Sequence, residues 1–176
     1  MSLDETAQLI AAHTIDVPDF PKPGVVFKDL SPLFSDGRAF RRVIDAIVGA
    51  YAGRFDVVAG IEARGFLLAA AVGYAATVGV VPIRKAGKLP RATLSASYEL
   101  EYGSATIEVQ QDAFLGGQRV LLIDDVLATG GTAEAALGLV GQAGGEVVGF
   151  VALLELSFLH GRDRLSGFDV TALLTV

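Results

Sequence analysis

Two adjacent carboxylates, Asp124 and Asp125, follow four apolar residues and open onto a run of small residues in VLLIDDVLATGGT, residues 120–132. The run ATGGT suits an anion. Gly130 and Gly131 permit close backbone approach and unusual dihedrals, and Thr129 and Thr132 add hydroxyl donors beside Ala128. A carboxylate next to a bound phosphate would repel it, so Asp124 and Asp125 must address another part of the ligand or a cation. Sugar hydroxyls fit, because a carboxylate accepts hydrogen bonds and can grip a cis-diol. A phosphorylated ribose makes both demands at once, offering its 5′-phosphate to residues 128–132 and its hydroxyls to the aspartates. A helix cap followed by a glycine turn is the alternative that needs no ligand.

Other anion-binding chemistries match less well. A dinucleotide site asks for G-x-G-x-x-G and a P-loop for a Gly-Lys-Ser/Thr ending, and the sequence has neither. VLLIDD alone also resembles the acidic strand end of nucleotide hydrolases, but no P-loop stands elsewhere to complete one. With no cysteine, thiolate catalysis and cysteine metal sites are excluded, and His13 and His160 lie in unrelated contexts without metal-ligand spacing.

For such a loop to work, a strand must end at the aspartates and a helix must start at the glycines, at the carboxyl edge of an α/β sheet. The surrounding sequence supplies this. RVLLI reads as a central parallel strand, and Thr132 opens a helix to about Gly141. DVVAGI and VGVVPI read as two strands joined by the Ala-rich helix 64–77, a βαβ unit, and EVVGFVALLEL and FDVTALLTV as later strands. Residues 3–13 have helical spacing, and Ser35 or Asp36 can cap a helix to about Gly53 with Phe40, Val43, Ile44, Ile47, Val48 and Tyr51 on one face. Three prolines make PDFPKPGVVFKDL an extended loop or edge segment. The basic run KAGKLPR, residues 85–91, should be exposed and mobile, and TLSASYEL and SATIEVQ should form a β-hairpin around EYG. The expected fold is therefore α/β, a mostly parallel twisted sheet flanked by helices, with an inserted hairpin.

Composition sets outer bounds. A chain of 176 residues, 52% apolar, can bury one core, so residues 1–176 are read as a single domain. Fourteen basic and twenty acidic residues give a net charge of −6 with no basic stripe, which argues against nucleic acid held through its phosphates. The start MSLDETAQLI lacks the layout of a secretory signal, and a cytoplasmic protein is the simplest reading. Residues 66–83 carry no charge over a span near the minimum for a bilayer, but Gly73, Gly79 and Pro82 interrupt them. They are read as a buried helix followed by a buried strand, with no membrane contact.

VLLIDDVLATGGT resembles the signature of type I phosphoribosyltransferases, which bind phosphoribosyl pyrophosphate with magnesium. PDFPKPGVVFKDLSPL, GIEARGF, PIRKAGKLP and SYELEYG narrow the resemblance to the family's adenine phosphoribosyltransferase branch, over about residues 18–156 and in the family's order. Lys28 departs from a frequent arginine. The resemblance implies a type I phosphoribosyltransferase fold with an N-terminal base-binding hood (1–35) and a flexible lid hairpin (85–110). The implied reaction, in purine salvage, is adenine plus phosphoribosyl pyrophosphate giving AMP and pyrophosphate, with Mg²⁺ carried by the donor rather than by direct protein ligands. It also implies a homodimer.

Residue by residue, the resemblance carries the 5′-phosphate to Ala128, Thr129, Gly130, Gly131 and Thr132, and the ribose to Asp124 and Asp125. Pyrophosphate falls to Ala63, Arg64, Arg84, Lys85 and Lys88, with backbone N–H groups of the Glu62, Ala63 and Arg64 turn assisting. Adenine falls to Val26, Phe27, Lys28 and Leu156, with Phe27 and Leu156 sandwiching the ring. Glu101 matches the candidate general acid or base, and Tyr102 helps seal the lid. A ligand sensor on the same fold would need an added DNA-binding module, and a transferase for another base would share VLLIDDVLATGGT but not FPKPGVVFKDL.

Overall fold

The computed structural model describes residues 3–99 and 104–176. Its organising strand is β7 (Arg119–Leu127), in which Val120, Leu121, Leu122 and Ile123 have no exposed surface and face alternate sides of a seven-stranded sheet. Such an uninterrupted apolar run needs cover on both faces, as parallel strands between helices have. The parallel strands are β3 (Val57–Ile61), β4 (Gly79–Lys85), β7, β8 (Glu146–Glu155) and β9 (Val170–Thr175). The antiparallel strands β5 (Thr93–Glu99) and β6 (Ser104–Gln110) extend the sheet, with β6 pairing to Arg84 and Lys85 of β4. The order is β5-β6-β4-β3-β7-β8-β9. The inserted hairpin is thus the continuation of the main sheet.

One face is covered by α1 (Leu3–Ala12), α3 (Gly37–Ala50) and α4 (Gly65–Ala76), which bury Ile10, Val43, Ile47, Leu68 and Val72 against Val58, Leu121, Ile123 and Val151. Helix α5 (Gly131–Gln142) covers the other, with Ala136, Leu137, Leu139 and Val140 against Ala59, Val120, Leu122 and Phe150. Each large apolar side chain buried in this way contributes about 1.5–3 kcal/mol, and both layers hold β7 rigidly under its carboxyl end.

Local details differ from the sequence reading where tertiary contacts intervene. Asp36 is the cap of α3, its carboxylate accepting from the N–H groups of Arg38 and Ala39 at 2.9 and 3.0 Å; Ser35 instead ends the short α2 (Ser31–Ser35). Helix α3 stops at Ala50, where the Tyr51 N–H bonds Ile47 O. The proline-rich segment folds into two paired strands, β1 (Ile15–Pro18) and β2 (Val26–Asp29), because Pro21 and Pro23 fall in the connection and leave the ladder intact.

Residues 66–83 are less buried than their composition promised: Leu67 (52% exposed), Tyr74 (90%) and Val80 (42%) face outward. No helix among the described residues is long and apolar enough to cross a membrane.

Candidate active site

Strand β7 ends in the loop that delivers the chain to α5. Gly130 caps that helix with φ of 83°, a conformation favouring glycine. Gly161 presses against the loop from the turn after β8: a β-carbon there would lie 2.1 Å from Ala128 O and 2.8 Å from Gly130 N, so only glycine fits. Ala128, Thr129, Gly130 and Thr132 line a cavity of ≈ 70 Å³ together with Asp124, at the N-terminus of α5, where backbone N–H groups and the helix dipole favour an anion.

The adjacent aspartates part company. Asp124 borders the loop cavity, whereas Asp125 borders a second one of ≈ 290 Å³. The N–H of Asp125 donates to Asp124 Oδ1 at 2.9 Å. Burial, and then the charge of Asp125, push the Asp124 carboxyl well above the ordinary carboxylate range. Helix α4 starts close behind, and a β-carbon on Gly65 would stand 2.9 Å from Ile123 O and 3.1 Å from Asp124 Oδ1. Asp125 is 6% exposed, and its buried Oδ2 has no hydrogen-bond partner among the described residues. Arg64 Nε lies 2.7 Å from that oxygen as an ion pair, but out of hydrogen-bond alignment. A buried carboxylate oxygen held only in this way keeps an open hydrogen-bonding position, which a donor on a ligand would fill.

The second cavity gathers Val26, Phe27, Lys28 and Leu156 with Arg64 and Asp125. Phe27 is braced edge-on by Phe20 at 5.1 Å between ring centroids and lies under the Arg64 guanidinium at 5.3 Å. The Lys28 ammonium is held by both Asp16 oxygens at 2.8 Å, which leaves its backbone rather than its charge to face a ligand. Val126 and Ala128 line both cavities, so the two open side by side across the end of β7.

Beyond Arg64 stand the other expected cations. Arg84 is engaged within the protein: its Nε donates to Glu62 Oε2 at 3.3 Å and its Nη1 to Lys88 O at 3.1 Å. The Lys85 N–H also donates to Glu62, at 2.9 Å, and this bond foremost lowers the Glu62 pKa against an opposing effect of burial. Lys85 and Lys88 are exposed, with no acidic partner in ion-pair range among the described residues. In the Glu62, Ala63 and Arg64 turn, whose Glu62–Ala63 peptide is cis, the Glu62 N–H is taken by Ile83 O; Ala63 and Arg64 retain the turn's available N–H groups. The basic loop is exposed as expected, yet its backbone is tied down, since Lys88 and Leu89 N–H groups donate to Glu108. Glu101 and Tyr102 lie outside the described residues. The end of β5 comes close to the phosphate-type loop: a β-carbon on Gly131 would lie 3.5 Å from Glu99 O and 3.6 Å from the Tyr98 ring.

Sequence reasoning passed over several supporting residues. Glu62 carried a signal only as part of a turn, and Gly161 none, because its close neighbour Ala128 is distant in the chain. Glu155, which receives Arg162 through both carboxylate oxygens at 2.9 and 2.5 Å, fixes the turn that holds Leu156 and Gly161. Its place at the end of a long apolar run was the one available hint. Among the described residues, no three acidic or histidine side chains gather as a metal-binding group.

The phosphoribosyl transferase domain model matches residues 36–166. The adenine phosphoribosyltransferase of Salinispora tropica is 70% identical over 98% of this chain and 92% of its own, and that of Thermobifida fusca is 54% identical over the full length of both. Among solved structures, the adenine phosphoribosyltransferase of Thermoanaerobacter pseudethanolicus superposes with a TM-score of 0.92 at 47% identity, covering 99% of this chain and 100% of that one. The Saccharomyces cerevisiae enzyme, solved with an imino-altritol bisphosphate and adenine, also gives a TM-score of 0.92, at 39% identity over 97% and 99% of the two chains. With its doubled cavity at the end of β7 and this likeness over essentially its whole length, the chain belongs to the adenine phosphoribosyltransferases of the type I phosphoribosyltransferase family.

Proposed function

We propose that the protein transfers the phosphoribosyl group of phosphoribosyl pyrophosphate to N9 of adenine, releasing AMP and pyrophosphate. The observation that carries this reading is the pair of cavities meeting at Val126 and Ala128, with a buried Asp125 oxygen beside them that is ion-paired to Arg64 but accepts no hydrogen bond among the described residues. A ligand with its phosphate in the glycine loop and its base against Phe27 must pass its ribose over Asp124 and Asp125. A ribose hydroxyl then supplies the donor that Asp125 lacks. The adenine bound in the yeast relative supports the choice of base.

In this reading Ala128 to Thr132 hold the 5′-phosphate, Asp124 and Asp125 grip the ribose, and Phe27 and Leu156 sandwich the adenine ring. Backbone groups near Val26 and Lys28 read the base edge; a 6-oxopurine would leave buried donors and acceptors mismatched, at about 1–3 kcal/mol per group. N9 attacks the anomeric carbon as the bond to pyrophosphate breaks, with inversion. Ala63, Arg64, Lys85 and Lys88 receive the leaving charge, while Arg84 braces the loop between Glu62 and Lys88. Glu101 exchanges the proton of the base, and Tyr102 helps seal the site so that water is kept from the activated ribose.

Magnesium fits the donor set, since carboxylate oxygens and substrate phosphates are its preferred ligands and no all-protein cage is required. When bound, it would neutralise pyrophosphate oxygens and orient the ribose hydroxyls near Asp124 and Asp125. We also read the active form as a homodimer. The outer face of α4, with Leu67, Ala70, Tyr74 and Ala75 exposed and no charged residue in the helix, supports that reading.

The test offers each nucleobase with phosphoribosyl pyrophosphate, with and without Mg²⁺, and follows nucleotide formation. AMP formed only with the metal is expected; preference for guanine or hypoxanthine over adenine would overturn the substrate assignment.

A further inference from the structure

Glu108 has no part in the roles described so far, yet it is one of few buried charged side chains, 6% exposed in the middle of β6. In the sheet it lies between Ser95 of β5 and Arg84 of β4. Its Oε1 accepts from the N–H groups of both Lys88 and Leu89 at 3.1 Å, and its Oε2 from the Thr93 hydroxyl at 3.4 Å. The Leu89 N–H foremost, with those of Gly87 and Lys88 and the Thr93 hydroxyl, lowers its pKa against the opposing effect of burial, so the group is a carboxylate at neutral pH. Charge-assisted bonds to successive backbone N–H groups are about twice as strong as neutral ones. They act on the stretch from which Lys88 projects. Arg84 Nη1 binds Lys88 O at 3.1 Å, and Arg84 Nε reaches Glu62 in the other cation-bearing turn. The backbone of Lys88 is therefore gripped at both of its polar groups, its N–H by Glu108 and its carbonyl by Arg84.

We propose that Glu108 is a positioning residue for the pyrophosphate half of the site, its buried carboxylate fixing the backbone of residues 88–89 and thereby setting the Lys88 ammonium where the leaving group binds. The inference rests on the reading of Lys88 as a pyrophosphate contact. A flexible lysine on an unanchored loop would have to be ordered each time the donor binds, and immobilising such a side chain costs up to about tenfold in affinity. The anchor removes that cost before the substrate arrives.

The test compares Glu108→Gln, Lys88→Ala and the double variant with the wild type. In Glu108→Gln the Lys88 and Leu89 amides should exchange hydrogen about tenfold to a hundredfold faster. The KM for phosphoribosyl pyrophosphate should rise about tenfold, with kcat within about threefold and the KM for adenine unchanged. Lys88→Ala should raise the same KM, and adding Glu108→Gln to it should raise it no further. Faster exchange with an unchanged donor KM, an equal rise in the adenine KM, or multiplicative effects of the two substitutions would each overturn the proposal. If Lys88→Ala leaves the donor KM unchanged, the pyrophosphate reading of Lys88 fails and the proposal with it; if only Glu108→Gln does, that reading stands and the positioning role alone fails. Should Glu108→Gln not fold, Glu108→Asp, which keeps the charge but shortens the reach, is expected to give the same split between donor and adenine KM.

Discussion

Arg64 Nε stands 2.7 Å from Asp125 Oδ2 in an ion pair that lacks hydrogen-bond alignment, and the same guanidinium lies over the Phe27 ring at 5.3 Å. One cation thus touches both the carboxylate read as ribose-binding and the aromatic ring read as base-binding. The carboxylate is left incompletely satisfied. Asp125→Asn should therefore cost catalysis far more than stability. Loss of a hydrogen bond to a charged group is worth about 1.5–3 kcal/mol, so kcat/KM for phosphoribosyl pyrophosphate should fall about tenfold to 10²-fold while the thermal midpoint moves by only a few degrees, roughly. Steady-state kinetics with calorimetry on the same preparation checks this, and a collapse of the fold at unchanged kcat/KM would contradict it.

Phe27 offers a separable effect. Stacking of a base on an aromatic side chain is worth about 1–3 kcal/mol, so Phe27→Ala should raise the KM for adenine about tenfold to 10²-fold. The KM for the pyrophosphate donor should move much less, although Arg64 loses its ring partner. Initial rates with each substrate varied in turn distinguish the two.

At Gly161 the constraint is steric. A β-carbon 2.1 Å from Ala128 O cannot be accommodated without shifting the phosphate-type loop. Gly161→Ala should destabilise the fold by about 1–3 kcal/mol and weaken binding of ribose 5-phosphate, measured by urea unfolding and by calorimetric titration. Normal affinity for that ligand would show that the loop tolerates the shift.

Acid should expose a device far from the site. Asp56 accepts from Arg119 Nη2 at 2.6 Å, Nε at 3.0 Å and N–H at 3.0 Å; the side-chain bonds foremost lower its pKa from 3.8 to about 2. The folded state therefore binds fewer protons than the unfolded chain between about pH 4 and 2, the contribution is complete above the unfolded pKa, and it is lost as pH falls through that window. Urea midpoints recorded from pH 5 to 2 should decline, and less steeply in Asp56→Asn. Parallel declines in the two proteins would remove Asp56 from the account.

The uncovered face of α4 makes the assembly testable. Leu67→Asp places a charge in the middle of an exposed apolar surface. Light scattering after size exclusion should then give a monomer where the wild type gives a dimer, with unchanged circular dichroism. A wild type that is itself monomeric would end the homodimer reading.

Much of this molecule is written in local patterns. The four apolar residues before Asp124 demanded a strand covered on both faces, Ser35 or Asp36 ahead of the apolar spacing of residues 40–51 demanded a capped helix, and the glycines at 130–131 demanded a turn at a helix start. Each is a preference of a few neighbouring residues, and each survives in the fold because tertiary packing has no reason to oppose it. The sequence alone also paired an anion loop with two carboxylates. What it could not contain is how residues far apart in the chain share space. That Asp124 and Asp125 serve different cavities, that Gly161 wedges the loop thirty residues before it, roughly, and that Glu108 grips Lys88 follow from sheet order and register. So does the pairing of β1 with β2 through a proline-rich connection. Hydrogen bonds between distant segments and steric limits at close approach leave no periodicity along the chain, and only the assembled sheet, with β6 beside β4 and β8 beside β7, brings the partners within reach.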